Sequence, residues 1–366
     1  MNRKLAFFLF FCLLPGFNSA HSAPESASFF FRDGSNPSKE IYSRNPEANA
    51  LYIQGLEYLG KGRPWAGGSL LNAGKALKLF RQAVQKDPQF ALAYLGQADA
   101  LNLFYFSVSG GIAQAKLYRQ QEAAALKAAA LDDSLPQVHA MLARIYHESE
   151  YDWPKAEKEL KRVIELTPNA SGPHASYGLF LGTMGRFEEA EAQIKLAQTM
   201  NEKSPWANIA MLQVLYWQHK DDAALAQGLE ALRKDDNLPS HFFLGFVYIH
   251  MGQFEKGIAE EKLASGIGDA GSLAGLAYAY AMAGHKEELQ KTLERFKHHP
   301  GGHLVPYRLA AVYVALGDKD RAISLIEKDY RQRNNWLNNL KVDPILDPLR
   351  QELRFKQLMR KMNFEQ

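Results

Sequence analysis

Cysteine is almost absent from this chain: Cys12 is the only one in 366 residues. A lone thiol makes no intrachain disulfide, no Cys-x-x-Cys redox motif and no cysteine zinc site, so stability must come from packing. Excess charge is lacking too. Lysine and arginine number 43 against 40 acidic residues, and loss of Arg3 and Lys4 with the N-terminal segment would bring the balance from +3 to about +1. So weak a field does not gather nucleic acid or anionic lipid, and neither is expected as a partner. There is no G-x-S-x-G elbow, P-loop, H-E-x-x-H motif or dinucleotide glycine fingerprint. No enzyme class and no cofactor is therefore indicated.

A membrane-spanning run is also missing. The apolar stretch Leu5 to Phe17 is interrupted by Pro15-Gly16, short of the roughly 20 residues a spanning helix needs. Two positive charges precede it, and small residues suited to cleavage after Ala20 or Ser22 follow it. This is the layout of a secretory signal peptide, residues 1–22, and implies a periplasmic or secreted protein with no membrane span once the leader is cut. Bulky residues in "LFFC" disfavour lipidation of Cys12. Residues 23–47, rich in Ser, Pro and Asn, read as a linker or mobile arm whose Phe29-Phe30-Phe31 tucks onto the first folded unit.

What the chain does have is repetition. Gly178, Gly185, Ala190, Ile194 and Ala197 set a spacing of 7, 5, 4 and 3. Leu212, His219, Ala224, Gly228 and Ala231 keep it, as do three further sets that start at Gly245, Ala277 and Ala310. Small residues at 178, 245, 277 and 310 allow two helices to approach closely. Glycines at 185, 252, 284 and 317 suit the left-handed residue that ends a helix. The four- and three-residue steps keep side chains on one face of a second helix. Each unit is thus a helical hairpin that must stack on its neighbours to cover its other apolar face.

With closing prolines at Pro88 and Pro168, in "ALKLFRQAVQKDPQF" and "AEKELKRVIELTPNA", the pattern resembles the tetratricopeptide repeat (TPR). The resemblance implies an all-α, right-handed solenoid of about eight helix-turn-helix repeats over residues 48–335, with a C-terminal capping helix within 336–366. Insertions near 61–73 and 105–114 read as protruding loops. The cap is expected as an amphipathic helix from about Asp347 to Met362, with Leu349, Leu353, Phe355, Leu358 and Met362 apolar. The ending "WLNNLKVDPILDPLRQELRF" is also similar to the repeat region of bacterial winged-helix and kinase-linked regulators, here behind a signal peptide and without that domain.

Four clusters carry side chains capable of chemistry or binding. "HHPGGH", with His298, His299 and His303, lacks nearby cysteine or clear carboxylate pairing, so no metal site is expected. "HESEYDW" offers His147, Glu148 and Glu150 near a helix end. The bland reading is better: Tyr151 and Trp153 wedge the turn and the acids face water. Arg350, Arg354, Lys356, Arg360 and Lys361 read as the solvated back of the cap.

The fourth cluster is "PWANIAMLQVLYWQH", a helix apolar nearly all round. Trp206, Ile209, Gln213, Tyr216 and Trp217 form a second stripe on it, and Phe242, Phe246, Tyr278 and Tyr307 follow at matching offsets. In arrays resembling this one first helices line the concave side, so the stripe either lines a groove or is buried between neighbouring first helices. The groove reading makes Trp206, Gln213, Tyr216, Trp217, Phe242, Phe246 and Tyr278 partner-binding residues. Arg144 and His147, with Asn102 and Asp99, extend it toward the N-terminus. Three aromatic anchors supply roughly 5 to 9 kcal/mol against an association cost of about 4 to 15. A long ligand wrapping several repeats is therefore required. The expected function is a non-catalytic scaffold or assembly factor of the cell envelope that binds a protein or extended peptide. The alternative is a sensor that stacks a small molecule or glycan in the superhelix, and the oligomeric state stays open.

Overall fold

The computed structural model describes residues 42–62, 70–105, 111–235, 238–265, 270–299, 306–332 and 335–364. The leader, most of the arm, Phe29 to Phe31, the centres of both insertions and His303 lie outside the described residues. No strand occurs among the described ones, and sixteen helices form eight hairpins. Hairpin 1 pairs α1 (Pro46–Gly62) with α2 (Leu70–Lys86), hairpin 2 α3 (Ala91–Tyr105) with α4 (Gly111–Leu131), and hairpin 3 α5 (Pro136–Ile145) with α6 (Trp153–Leu166). Hairpin 4 pairs α7 (Ser171–Thr183) with α8 (Phe187–Met200), hairpin 5 α9 (Pro205–Trp217) with α10 (Asp221–Lys234), and hairpin 6 α11 (Leu238–His250) with α12 (Phe254–Ala264). Hairpin 7 pairs α13 (Ala270–Ala283) with α14 (Lys286–Lys297), and hairpin 8 α15 (Pro306–Ala315) with α16 (Lys319–Gln332). Two 3-10 turns, Asn335–Asn339 and Pro344–Leu349, and a last helix α17 (Leu353–Lys361) complete the chain.

Local chemistry sets the helix ends. Pro205 opens α9 with its fixed φ, and the Ser204 hydroxyl accepts from the Ala207 N–H at 3.4 Å. Gly185, Gly252, Gly284 and Gly317 close the first helices of hairpins 4, 6, 7 and 8 with φ between 73° and 78°. At the corresponding place in hairpin 5, His219 holds φ 57°. The next amide then bonds back into the helix, as from Arg186 N to Leu181 O at 2.9 Å.

The two helices of a hairpin bury themselves differently. On α8 only Ala190, Ile194 and Ala197 are buried, a single stripe. On α9 every residue from Trp206 to Trp217 is buried. The difference follows from position, since first helices pack on one another as well as on the second helices around them. They therefore lie on the inner side of the curve. Close approach inside a hairpin depends on missing side chains: a Cβ on Gly178 would stand 2.5 Å from Ile194 Cγ1.

The curve closes on itself. One apolar core runs from Leu95 in α3 through the later hairpins to Phe364, and a smaller one fills hairpin 1 and the side of α3 against it. Tyr330 of hairpin 8 stacks on Tyr151 of hairpin 3 at 6.0 Å and 18°. Phe364 stacks on Trp153 at 4.7 Å and 23°. The capping helix is present but shorter than expected, beginning at Leu353. Pro348 lacks an amide hydrogen, and Asp343 caps a 3-10 turn by accepting from the Ile345 N–H at 3.1 Å, so residues before 353 do not enter the helix. Leu353 is 68% exposed and does not join the buried stripe, whereas Leu349, Phe355, Leu358 and Met362 do.

Candidate partner-binding face

The C-terminal segment, residues 335–364, runs across the turn ends of the middle hairpins in repeat order. Asn338 reaches the hairpin 3 turn, where its Nδ2 donates to His147 Nδ1 at 3.0 Å. Lys341 reaches hairpin 4, donating from Nζ to the Met184 carbonyl at 3.0 Å. This places an ammonium at the negative end of α7. Asp347 reaches hairpin 5, with Oδ2 3.4 Å from His219 Nε2. Arg350 holds the segment in shape by donating to the carbonyls of Lys341 at 2.7 Å and Asp343 at 3.1 Å. The chain end then returns to hairpin 3: Trp153 Nε1 donates to Met362 O at 2.9 Å, and Asn363 Nδ2 to Tyr151 O at 3.1 Å.

Between these contacts, Asp343 enters the concave interior. Its Oδ2 accepts from the Tyr307 hydroxyl at 2.6 Å, and Tyr307 is itself buried on α15. Burial pushes the Asp343 carboxyl above its usual range, against the pull of Tyr307, the Ile345 amide, Arg308 and Arg350. Tyr216 of α9 and Tyr278 of α13 are pushed well up by burial, and next by the charge of Asp343. Tyr307 of hairpin 8 thus bonds this carboxylate directly, and the buried phenols of hairpins 5 and 7 feel its charge. The buried Arg308 guanidinium, whose charge also acts on Asp343, lies 4.5 Å from the Phe242 ring centre and 5.6 Å from that of Phe246.

The nine residues expected to line a groove are Arg144, His147, Trp206, Gln213, Tyr216, Trp217, Phe242, Phe246 and Tyr278. None is more than 7% exposed. In this closed form they do not front an open groove, because neighbouring first helices, α15 and the C-terminal segment cover them. Trp206 Nε1 donates to Ser176 Oγ at 3.2 Å. Trp217 and Val214 press on Gly182, where a Cβ would lie 2.8 Å from Val214 Cγ2. Phe246 meets Tyr278 at 5.7 Å. Gln213 is buried, and its Nε2 lacks a hydrogen-bond partner among the described residues. Arg144 is buried and pairs with Asn102 Oδ1 at 2.6 Å and Glu148 Oε2 at 3.4 Å.

The stretch around His147 differs from its sequence reading. Glu148 does not face water but is buried, and Tyr146–Glu150 form a π-turn that ends at Tyr151 with φ 54°. Burial raises Glu148 to about 7 against the pull of Arg144, and lowers His147 to about 3. The His147 tautomer follows from its neighbours. Thr183 Oγ1 gives its hydrogen to Phe180 O at 2.7 Å, so toward His147 Nε2, 3.5 Å away, it can only accept. Nε2 thus carries the proton, and Nδ1 receives the Asn338 amide. Both ring nitrogens are engaged within the protein, so this histidine joins the chain end to the solenoid rather than serving as an acid or base.

One set of residues escaped the sequence reading. His139 Nδ1 stands 2.6 Å from Glu159 Oε2, with its Nε2 3.0 Å from Asp133 O. His174 repeats this with Gln193 at 2.8 Å and Pro168 O at 3.2 Å. Asn208 does so with Gln227 at 3.3 Å and Glu202 O at 3.4 Å, and His241 reaches Glu260 at 2.5 Å. In hairpins 3 to 6 a polar residue near the start of the first helix thus ties the second helix of its hairpin, and His139, His174 and Asn208 also reach a carbonyl of the preceding turn. Aligning the repeats at this offset was the signal that would have found it. Among the described residues no cluster of histidines and acids could hold a metal ion. No described helix is long and apolar enough to cross a membrane. A depression of about 390 Å³ lined by Gly252, Phe254, Lys256 and Ala283 lies at the turns of hairpins 6 and 7, away from the concave face.

Against solved structures, the chain is similar to yeast Tom70, with a TM-score of 0.57 and 16% identity over 92% of this chain and 71% of that one. The fold is a tetratricopeptide-repeat solenoid. A TPR protein from Parabacteroides merdae aligns with a TM-score of 0.48 and 13% identity, over 82% of this chain and 98% of that one. PilW, a type IV pilus biogenesis factor, aligns at 0.43 and 18%, over 59% and 97%. No family model matches the TPR chain, and no match was found among curated proteins.

Proposed function

We propose that this TPR solenoid is a non-catalytic scaffold or assembly factor of the cell envelope that takes an extended segment of a partner protein along its concave face. One observation carries the reading. The turns of hairpins 3 and 4 and the first helix of hairpin 8 already hold a peptide there, residues 338–343 of the same chain, by hydrogen bonds to Asn338, Lys341 and Asp343. In the closed form the chain's own end occupies the face, and a partner gains access as that end is released. The leader-like residues 1–22 support an envelope setting. The test is photo-cross-linking in native envelopes with the full chain and with Asn338→Ala/Lys341→Ala. The same partner should link to concave residues strongly in the variant and weakly in wild type. Equal linking by both, or linking only through the outer helices, would refute the reading.

A further inference from the structure

We propose that the turn edge of hairpins 6 and 7 is a docking track for an extended partner segment that carries a lysine between aliphatic residues. The site lies outside the concave face, so it stands or falls separately from the reading above. The chain itself shows the chemistry at hairpin 4. There Lys341, between the buried Leu340 and Val342, donates to Met184 O at 3.0 Å, and its Cε would stand 3.8 Å from a Cβ on Gly185. The lysine stem thus lies over the turn glycine while the ammonium meets a carbonyl at the negative end of a first helix.

Hairpins 6 and 7 repeat that turn. At hairpin 4 the amides of Gly185 and Arg186 bond back to Gly182 O and Leu181 O, both at 2.9 Å. Those of Gly252 and Gln253 reach Ile249 O at 3.0 Å and Tyr248 O at 2.8 Å, and those of Gly284 and His285 reach Ala281 O at 3.2 Å and Tyr280 O at 3.0 Å. Met251 O and Ala283 O therefore take the place that Met184 O holds. The edge is open here, since a Cβ on Gly252 or Gly284 would meet nothing within 4 Å. Between the two turns lies the depression of about 390 Å³, with Phe254 and Ala283 in its wall. Both are only partly buried and offer apolar surface to the residues that flank a bound lysine. Charge at the rim agrees. The Glu255 side chain is 77% exposed and lies 3.2 Å from His285 Nε2, while Lys256 is held aside by Gln253 Oε1 at 2.8 Å and by the Tyr248 ring. The track continues the line on which the chain's own end crosses hairpins 3, 4 and 5.

The probe is a peptide of residues 336–343, titrated by NMR into the full chain labelled at its methionine methyl groups. Met251 and Met282 report on the open turns, and Met184 on the occupied one. Saturable shifts of Met251 and Met282 are expected with Met184 unmoved, and the Lys341→Met peptide should bind with a Kd about fivefold higher, the worth of one ammonium at a helix C-terminus. Ala283→Arg in the full chain sets a cation at the end of α13, where it does not oppose folding, and should weaken the unaltered peptide by at least that factor. Equal Kd values for the two peptides, or no shift at Met251 and Met282, overturns the track. Shifts at Met184 alone would put the peptide on the line of the chain's own end, which overturns the track and leaves the scaffold reading standing.

Discussion

Asn338 and His147 stand 191 residues apart in sequence, and the amide of one donates to the ring nitrogen of the other at 3.0 Å. This bond joins the last segment of the chain to the π-turn of hairpin 3. The protein is in consequence a closed array, not an open rod with a spare groove.

The bond has a pH signature. His147 has a folded pKa of about 3 against 6.5 ordinarily, so between those values the unfolded chain binds the extra proton and stability rises with pH. Glu148 runs the other way: its pKa is raised to about 7, so the folded state binds the proton and stability falls as pH rises from 4.5 to 7. His147→Gln should remove only the first slope. Urea melts at pH 4 and pH 6 should show wild type losing more stability on acidification than the variant, by on the order of 1 kcal/mol per pH unit.

The second histidine has the opposite sign. His139 is raised by its bond to Glu159, against burial, so its contribution is complete below pH 6.5 and fades as pH climbs through the folded value. His139→Gln should narrow the gap in melting temperature between pH 6 and pH 8. NMR titration of the ring should place its midpoint above 6.5.

Buried rings of the inner stripe should behave as core. Phe242→Ala is expected to cost about 3 to 5 kcal/mol in chemical unfolding, since Phe242 is fully buried. Leu196→Ala, on the outer helices and 41% exposed, should change stability by less than about 0.5 kcal/mol.

Two glycines separate backbone strain from crowding. A Cβ at Gly252 would meet nothing within 4 Å, so Gly252→Ala should cost only the left-handed backbone term, about 1 kcal/mol. At Gly178 the cost is steric, because Ile194 Cγ1 lies 2.5 Å from the added carbon. In a double-mutant cycle Gly178→Ala with Ile194→Ala, which removes the clashing γ carbon, should cost less than the sum of the two single changes, whereas Gly252→Ala should simply add to Ile194→Ala.

The hairpins were legible because their signals are local. Gly185 needs a positive φ and Gly178 a close neighbour, and each leaves a small residue at a fixed offset. The inner stripe was legible as apolar, but whether it met solvent or protein was not. That depends on Asn338, Lys341 and Asp343, which lie far along the chain and carry no periodic mark. Burial of Glu148 was hidden for the same reason. In the sequence it sits among polar neighbours with Arg144 one helical turn before it, and only the fold brings the chain end, through Asn338, onto the adjacent His147.

The most direct test replaces Lys341 with a diazirine-bearing lysine analogue in the full chain and maps the photoproduct by mass spectrometry. Because the Lys341 Nζ lies 3.0 Å from the Met184 carbonyl, the account predicts an intrachain link to the peptide containing Met184 and Gly185 at every protein concentration. Absence of that link, with label passing only to solvent or to residues near 341 in sequence, would contradict the closed solenoid.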